Sequence, residues 1–266
     1  MTGPAPAAPR RAWVEQIMGM PISIHLRGAG LADGAVEAAV ASVFEDLREV
    51  DSVFSTYRPD SDISRLNRGE LTVAGCHPSV TEVVDLCDEA GRRTGGTFDP
   101  HLPGPDGRTW FDPSGLVKGW ATERAAAHLE DVSRRVGVDF CLNAGGDVAV
   151  GVATTASPPW RVGIEDPDRH HGLLGVVPLR SGGVATSGSA HRGGHIIDPR
   201  TGRPADTLRA ATVTGPSLMW ADVYATATIV AGPAALEWIA DLPGYEALVV
   251  TAAGDLLATP EFPLER

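Results

Sequence analysis

Helical and strand patterns occupy separate parts of this chain and do not alternate. Apolar residues at three- and four-residue spacing predict an amphipathic helix from Asp33 to about Phe54. A serine-to-glutamate capping box at Ser79 predicts a second helix that ends at about Thr94, and a third helix runs to about Val136. Short β runs dominate the rest of the chain. Because doubly wound parallel sheets require alternation, this order predicts an α+β fold with mixed or antiparallel sheets and packed helices.

The length and composition are those of a globular protein. With 266 residues, 43% of them hydrophobic, the chain can bury a substantial core. We expect a disordered tail over residues 1–12, which is rich in proline and alanine, and a single domain over residues 13–266. The net charge of −12 argues against nucleic acid or an anionic membrane as the main partner. No apolar run approaches the roughly 20 residues that span a bilayer, so we expect no membrane insertion.

The cysteines and the tail bear on the compartment. Cys76, Cys87 and Cys141 are odd in number and scattered, which favours buried thiols in a reducing compartment over a disulfide framework. The basic tail is followed by no apolar stretch of the kind found in secretory signals. These features predict a cytoplasmic protein.

Two glycine-containing turns predict a binding site. In the segment Asp112–Glu130 a turn delivers Lys118 to the first turn of a helix, where exposed amides and the helix dipole suit phosphate. The alternative is an ordinary surface lysine. A strand then ends in the sequence Asn143-Ala-Gly-Gly-Asp147. Asn143 and Asp147 are placed to bond a ribose or a base, or they simply form a tight turn.

A late helix carries oxygen ligands on one face. Asp222 and Thr226 are four residues apart, so their side chains lie one turn from each other. Hard oxygen ligands of this kind suit Mg²⁺, which commonly takes one or two carboxylates together with phosphates of its ligand. The alternative is a solvated or locally bonded aspartate, although an unpaired carboxylate among apolar neighbours is costly to bury.

Several further polar side chains are candidates for ligand contacts. Thr186 and Ser187 can bind phosphate oxygens, and His195, at the start of a predicted strand, is a candidate acid or base. His191 and His195 are spaced as a metal pair, but the glycines between them speak against a helix. Tyr57, on a polar loop, can stack on a planar ring or lie exposed as a surface tyrosine.

Nine blocks of sequence occur in one order over about residues 17 to 260. They are Met18-Gly19, Ser55 to Asn67, Gly96 to Pro100, Asp112 to Ala121, Asn143 to Asp147, Ile164 to Pro167, Thr186 to Gly188, His195 to Gly202 and Ala221 to Thr226. Together they resemble the FAD:protein FMN transferase family, the ApbE-type flavin transferases. The chain is a short variant, since only about a dozen residues lie between Pro100 and Asp112 where family members carry a longer insert.

The resemblance implies a fold of the ApbE kind, FAD as the bound nucleotide and a Mg²⁺-dependent reaction. Family members move the FMN half of FAD onto a serine or threonine hydroxyl of an acceptor protein and release AMP. By position, the resemblance implies metal binding by Asp222, Thr226 and the backbone carbonyl of Val117, and proton transfer at His195. Contacts to FAD are implied for Met18, Tyr57, Lys118, Asn143, Gly145, Gly146, Asp147 and Thr186.

Two other functions use the same residues. One is a FAD-binding or carrier protein without transfer activity, and the other is a Mg²⁺-dependent FAD hydrolase that gives FMN and AMP. The carrier differs from the transferase because no bond of FAD breaks. The hydrolase differs because water attacks the phosphorus in place of a protein hydroxyl.

Overall fold

An antiparallel sheet lies at the centre of the structure, a computed structural model that describes residues 8–104, 107–169, 171–188 and 196–266. The strands in these ranges are β1 Arg10–Ile17, β2 Met20–Arg27, β3 His101–Pro103, β4 Thr109–Phe111, β5 Asp139–Ala144, β6 Asp147–Gly151, β7 Trp160–Glu165, β8 Leu173–Leu179, β9 Ser181–Gly188, β10 Ile197–Asp198, β11 Arg203–Pro204, β12 Leu208–Gly215, β13 Glu246–Thr251 and β14 Leu256–Ala258. Eight of them form one sheet in the order β1-β2-β5-β6-β9-β12-β13-β14, and each neighbouring pair is antiparallel. The predicted α+β class is confirmed.

Two tight turns close hairpins at one end of this sheet. Strands β1 and β2 are joined by Met18 and Gly19, both at positive φ (54° and 71°), which matches the twist of a hairpin. Strands β5 and β6 are joined by Gly145 and Gly146, at φ 61° and 103°. The two turns are neighbours, because the Gly145 N–H donates to the carbonyl of Pro21 at 3.3 Å. Backbone from four strands is thereby brought close together.

The helices of the described ranges cover one face of the sheet. They are α1 Gly34–Phe54, α2 Asp62–Asn67, α3 Pro78–Arg93, α4 Ser114–Val136, α5 Leu218–Ala231 and α6 Ala235–Ala240. Helix α4 packs between α1 and α5. Leu47 of α1, Leu129 of α4 and Val223 of α5 belong to the same buried cluster as Ile24 and Leu142 of the sheet. Burial of this apolar layer is the main term that holds the helices on the sheet.

The opposite face of the sheet is partly covered by the β7–β8 hairpin. Ile164 and Val177 of the hairpin pack on Val184 of β9 and Leu248 of β13 in a second buried cluster. The central strands are therefore buried on both faces. Asp166 and Asp168, which follow β7, line a cleft.

Several local predictions are confirmed and others need correction. Asp33 caps α1, with its side chain accepting from the Ala35 N–H at 2.8 Å. Helix α3 begins two residues earlier than the capping box predicts, because the N-cap is His77 and not Ser79, and the His77 ring accepts from the Ser79 N–H. Strand β1 starts at Arg10, so residues 10–12 of the predicted tail are paired with β2.

The position of Lys118 on its helix also differs from the sequence prediction. Helix α4 begins at Ser114, whose N–H is held by the Asp112 side chain at 3.0 Å. The glycine that the sequence assigns to a turn, Gly115, therefore lies inside the helix. As a result Lys118 lies beyond the first turn, on the side of α4 that faces α5. Among the described residues, no helix is both long and apolar enough to cross a membrane.

Helices α4 and α5 are in close contact at Gly119. A Cβ atom at Gly119 would lie 2.9 Å from Cβ of Asp222 and 3.0 Å from Cα of Met219. Real Cβ atoms do not approach other carbons this closely, so only glycine permits this crossing. The sequence places Asp222 on a helix, but the absence of a side chain at residue 119 sets how near it comes to α4.

We predict that Gly119→Ala lowers the free energy of unfolding by about 1–3 kcal/mol, since the added methyl forces the two helices apart. Gly91→Ala in α3 is the matched control, because its Cβ would meet only the Phe98 carbonyl oxygen at 3.6 Å, an ordinary contact. That change is expected to stabilise the protein by about 0.5–1 kcal/mol through the helix preference of alanine. Urea unfolding measures both. Equal effects of the two substitutions would contradict the conclusion that the contact between α4 and α5 leaves no room for a side chain at residue 119.

Candidate active site

Three charged side chains from three elements meet where α4 crosses α5. Nζ of Lys118 lies 2.6 Å from Oδ2 of Asp147, at the start of β6, and 3.6 Å from Oδ1 of Asp222 on α5. Both aspartates are nearly inaccessible, with 0% and 1% of their surface exposed, whereas Lys118 is partly exposed. We call Lys118, Asp147 and Asp222 the charged centre.

Backbone donors hold the two carboxylates of the charged centre. Oδ2 of Asp222 accepts from the Gly119 N–H at 3.1 Å, and Oδ1 of Asp147 accepts from the Thr186 N–H at 3.3 Å. The second oxygen of Asp147 is buried and, among the described residues, no donor is aligned to hydrogen-bond it. The ammonium group of Lys118, 2.6 Å away, is the cation that pairs with this oxygen.

The charged centre has more negative than positive charge. Burial, and next the charge of Asp147, raise the pKa of Asp222 well above the ordinary value of an aspartate, while Lys118 acts in the opposite direction. One ammonium group serves two buried carboxylates. A further cation, or a proton on one carboxyl group, is needed to balance the charge.

Hydroxyl groups extend the centre along the cleft. Thr226 lies one turn after Asp222 on α5, and its Oγ1 is 3.0 Å from Oγ of Ser187 on β9. Oγ1 of Thr186 is 2.9 Å from Oγ1 of Thr212 on β12. The hydroxyl groups of Thr186, Ser187 and Thr226 thus line the cleft together with Asp222.

The charged centre lies at the wall of a cleft of about 650 Å³. Among the residues singled out from the sequence, Lys118, Gly145, Thr186, Asp222 and Thr226 line this cleft. This volume falls within the usual range for small-molecule sites. The structure therefore brings together, in one cavity, residues that are up to 108 positions apart in the chain, from Lys118 to Thr226.

Other residues predicted to contact a ligand lie outside the lining. Tyr57 is 94% exposed on the loop after α1, and Met18 forms the β1–β2 turn. Oδ1 of Asn143 accepts from the Gly146 N–H at 2.9 Å, which is the tight-turn alternative of the sequence analysis. The side chain of Val117 is buried.

Two of the sequence predictions take a different form in the structure. The sequence analysis assigns a backbone carbonyl of the site to Val117, but Val117 does not line the cleft. The backbone of Gly115, at the start of α4 and next to Thr226, does line it. Asp147 is fully buried, pairs with Lys118 and does not line the cleft. His195 and His191 lie outside the described residues, although Ile196 and Ile197, which follow His195, line the cleft.

Sequence reasoning missed one wall of the cleft. Asp166, Asp168 and Arg169, from the β7–β8 connection, line it together with Arg209 of β12, which forms an ion pair with Asp168. The block Ile164 to Pro167 was noticed only through the family resemblance. Nothing in its local pattern indicates that a hairpin on the far face of the sheet reaches around to the cleft.

The charged centre fits a hard divalent cation. Asp222, the Thr226 hydroxyl and backbone oxygen at the start of α4 could supply oxygen ligands to such a cation, and Asp147 adds a second buried carboxylate to the centre. Within the described ranges no group of three or more histidine, cysteine or acidic side chains is placed to hold a metal. Mg²⁺ does not require one, because it usually keeps several waters and ligand phosphates.

The antiparallel α+β fold and the charged centre define a protein in which an ammonium group and two buried carboxylates meet at the wall of a cleft. A family model described as the ApbE family matches residues 18–104 and 102–249. The chain belongs to the ApbE family.

Curated relatives are similar over parts of the chain. A FAD:protein FMN transferase of Rhodobacter capsulatus is 39% identical over 161 residues, which cover 57% of this chain and 30% of the relative. One from Escherichia coli K12 is 32% identical over 169 residues, covering 58% and 46%. The chain thus spans less than half the length of these two relatives. One from Klebsiella pneumoniae is 24% identical, covering 88% and 83%.

Solved structures share the fold. The ApbE protein from Thermotoga maritima superposes with a TM-score of 0.82 at 21% identity, covering 97% of this chain and 100% of that one. The flavin transferase ApbE from Vibrio cholerae gives a TM-score of 0.77 at 24% identity, with the same coverage. The eight-stranded sheet with its helical layer is therefore a known architecture.

We predict that Asp222→Asn stabilises the metal-free protein and flattens its pH dependence. A carboxyl whose pKa is raised by folding holds a proton that the unfolded chain releases, so stability falls as pH rises from about 3.9 towards the raised value. Asparagine removes this loss. At pH 8 in EDTA we expect a gain of about 1 kcal/mol in urea unfolding. A gain that is equal at pH 5 and pH 8 would contradict the assignment.

Proposed function

We propose that this protein is a Mg²⁺-dependent FAD:protein FMN transferase. It moves the FMN half of FAD onto a serine or threonine hydroxyl of an acceptor protein and releases AMP. The observation that carries the proposal is the charged centre at the wall of a 650 Å³ cleft in a chain of the ApbE family. The curated relatives are named for the same activity.

The metal ligands in this proposal come from two helices. Asp222 and Thr226 supply oxygen from α5, and a backbone carbonyl at the start of α4 supplies a third. Val117 is the position implied by the family resemblance, and Gly115 is the nearby residue whose backbone lines the cleft. Bound there, Mg²⁺ supplies positive charge to the pyrophosphate oxygens and to the departing AMP.

The charged centre then orients and stabilises the phosphates. Lys118 is partly exposed to the cleft, and its ammonium group neutralises charge on the pyrophosphate. The buried carboxylate of Asp147 holds that ammonium group in place through their ion pair. The hydroxyls of Thr186, Ser187 and Thr226 donate hydrogen bonds to the ligand oxygens. Phosphoryl transfer depends mainly on such positioning and charge stabilisation.

The remaining contacts to FAD belong to the turns at one end of the sheet. Met18, Asn143, Gly145 and Gly146 form the two neighbouring hairpin turns, whose glycines let backbone approach a ligand closely. The ring of Tyr57 is free to stack on a flat aromatic ring.

His195 is the proposed proton acceptor. The oxygen of the acceptor hydroxyl forms a bond to the phosphorus of the FMN half while the bond to the AMP oxygen breaks, and the hydroxyl proton passes to the imidazole.

The acceptor is a protein, and the three free thiols are consistent with the reducing cytoplasm as the compartment.

We predict that the purified protein, FAD, Mg²⁺ and a flavin-acceptor domain give a flavin-fluorescent band that survives denaturing electrophoresis. Asp222→Ala and Lys118→Met are each expected to lower the rate by about 100-fold or more, because each removes charge stabilisation at the phosphates. Asp241→Asn, on the exposed end of α6, is the control and should leave the rate unchanged.

Mass spectrometry of the nucleotide and the acceptor separates the alternatives. AMP with free FMN and an unlabelled acceptor indicates a hydrolase, and unchanged FAD indicates a binding or carrier protein. Either result, with an active homologue as positive control, overturns transfer as the function.

We predict that His195→Gln lowers transfer by about 10²- to 10⁴-fold, the usual contribution of a general base, while FAD binding stays within about threefold. His128→Gln on α4, where the ring pairs with Asp46 at 2.8 Å on the surface, is the control. Fluorescence titration measures binding, and AMP release measures turnover. A large loss of FAD affinity with unchanged turnover would assign His195 to binding.

A further inference from the structure

A carboxylate on α4 holds the beginning of α5. Oε2 of Glu123 accepts from the Ser217 hydroxyl at 2.8 Å and from the Met219 N–H at 2.9 Å. Ser217 is itself the N-cap of α5, since its Oγ accepts from the Trp220 N–H at 3.3 Å. We propose that Glu123 is a positioning residue that fixes the register and rotation of α5, and thereby the place of Asp222 and Thr226 in the cleft.

Hydrophobic packing alone does not set the rotation of α5. Nearly all of its residues are buried, and its apolar side chains are distributed around the helix. A helix that is apolar on all sides has no single face that burial prefers. Polar contacts must therefore decide which way Asp222 points, because they are satisfied in only one orientation.

Two hydrogen bonds between α4 and α5 lie one turn apart. Glu123 is four residues after Gly119 on α4, and Met219 is three residues before Asp222 on α5. The Gly119–Asp222 contact lies where a side chain at residue 119 would clash with α5, and the Glu123–Met219 contact is one turn further along α4. Contacts at two levels along the helices limit both the rotation and the sliding of α5 on α4, whereas contacts at one level still allow α5 to pivot about that level.

The charge of Glu123 suits this place. The Glu123 carboxylate faces the first N–H groups of α5, where the helix dipole is positive and the N–H donors have no partner within the helix. Without the carboxylate the Met219 N–H has no acceptor from α4. We expect the first turn of α5 to loosen and Asp222 to shift relative to Lys118. A displacement of about 1 Å in an active site can lower the rate by about 10²-fold.

The catalytic consequence rests on the proposed function, so the experiment has one readout that does not depend on it. Hydrogen–deuterium exchange is measured on residues 218–224 in the wild type, Glu123→Ala and Glu123→Gln. The alanine variant is expected to exchange about tenfold faster there. The glutamine variant is expected to stay within about twofold of the wild type, because its amide oxygen still accepts both hydrogen bonds.

The second readout is the kcat for AMP release at saturating FAD and Mg²⁺. We expect a loss of about 10- to 100-fold in Glu123→Ala, with the KM for FAD nearly unchanged, and recovery in Glu123→Gln. Glu130→Ala is the control for an exposed acid on α4. Val132→Ala, buried near the far end of α4, is the control for lost stability without a change at the crossing.

The outcomes separate this inference from the proposed function. Wild-type exchange rates or an unchanged kcat in Glu123→Ala contradict the positioning role, and so does an equal loss of kcat in Val132→Ala. If the wild type releases no AMP, the proposed function fails. The exchange of residues 218–224 then decides by itself whether Glu123 fixes α5.

Discussion

The crossing of α4 and α5 at Gly119 is the constraint on which the rest of the site depends. It brings Asp222, a buried carboxylate, to 3.1 Å from a backbone N–H and 3.6 Å from Lys118. Burial of a carboxylate is favourable only if partners are provided, and here they come from another helix and from the sheet. Two carboxylates and one ammonium group are therefore held together at the cleft, and the burial of Asp222 beside Asp147 disfavours its charged form.

The sheet contributes to this crossing by placing Asp147 and the hairpin turns at the same end. Asp147 begins β6 directly after the Gly145–Gly146 turn, so one short segment gives both a close backbone approach and the carboxylate that holds Lys118. The β7–β8 hairpin adds the opposite wall of the cleft. The site is thus shared between the helical layer, the sheet edge and a hairpin from the other face.

Sequence reasoning was most successful where local chemistry decides the structure. Capping by Asp33, the amphipathic stripe of α1 and the clustering of strands each depend on residues near in sequence, so the α+β class follows from them. The tight-turn role of Asn143 is local too. The inward orientation of Asp147 and the approach of Arg209 and Asp168 to the cleft depend on contacts between distant segments, and no local pattern encodes them.

By itself the sequence determined the types of elements, the family and the side chains available for chemistry, because periodicity, turn residues and ordered motifs are local properties. The tertiary structure alone decided that Lys118 faces two buried aspartates, that Gly115 lines the cleft where Val117 does not, and that Glu123 reaches the start of α5. These outcomes are set by how closely helices and sheet pack, which is a property of the whole fold.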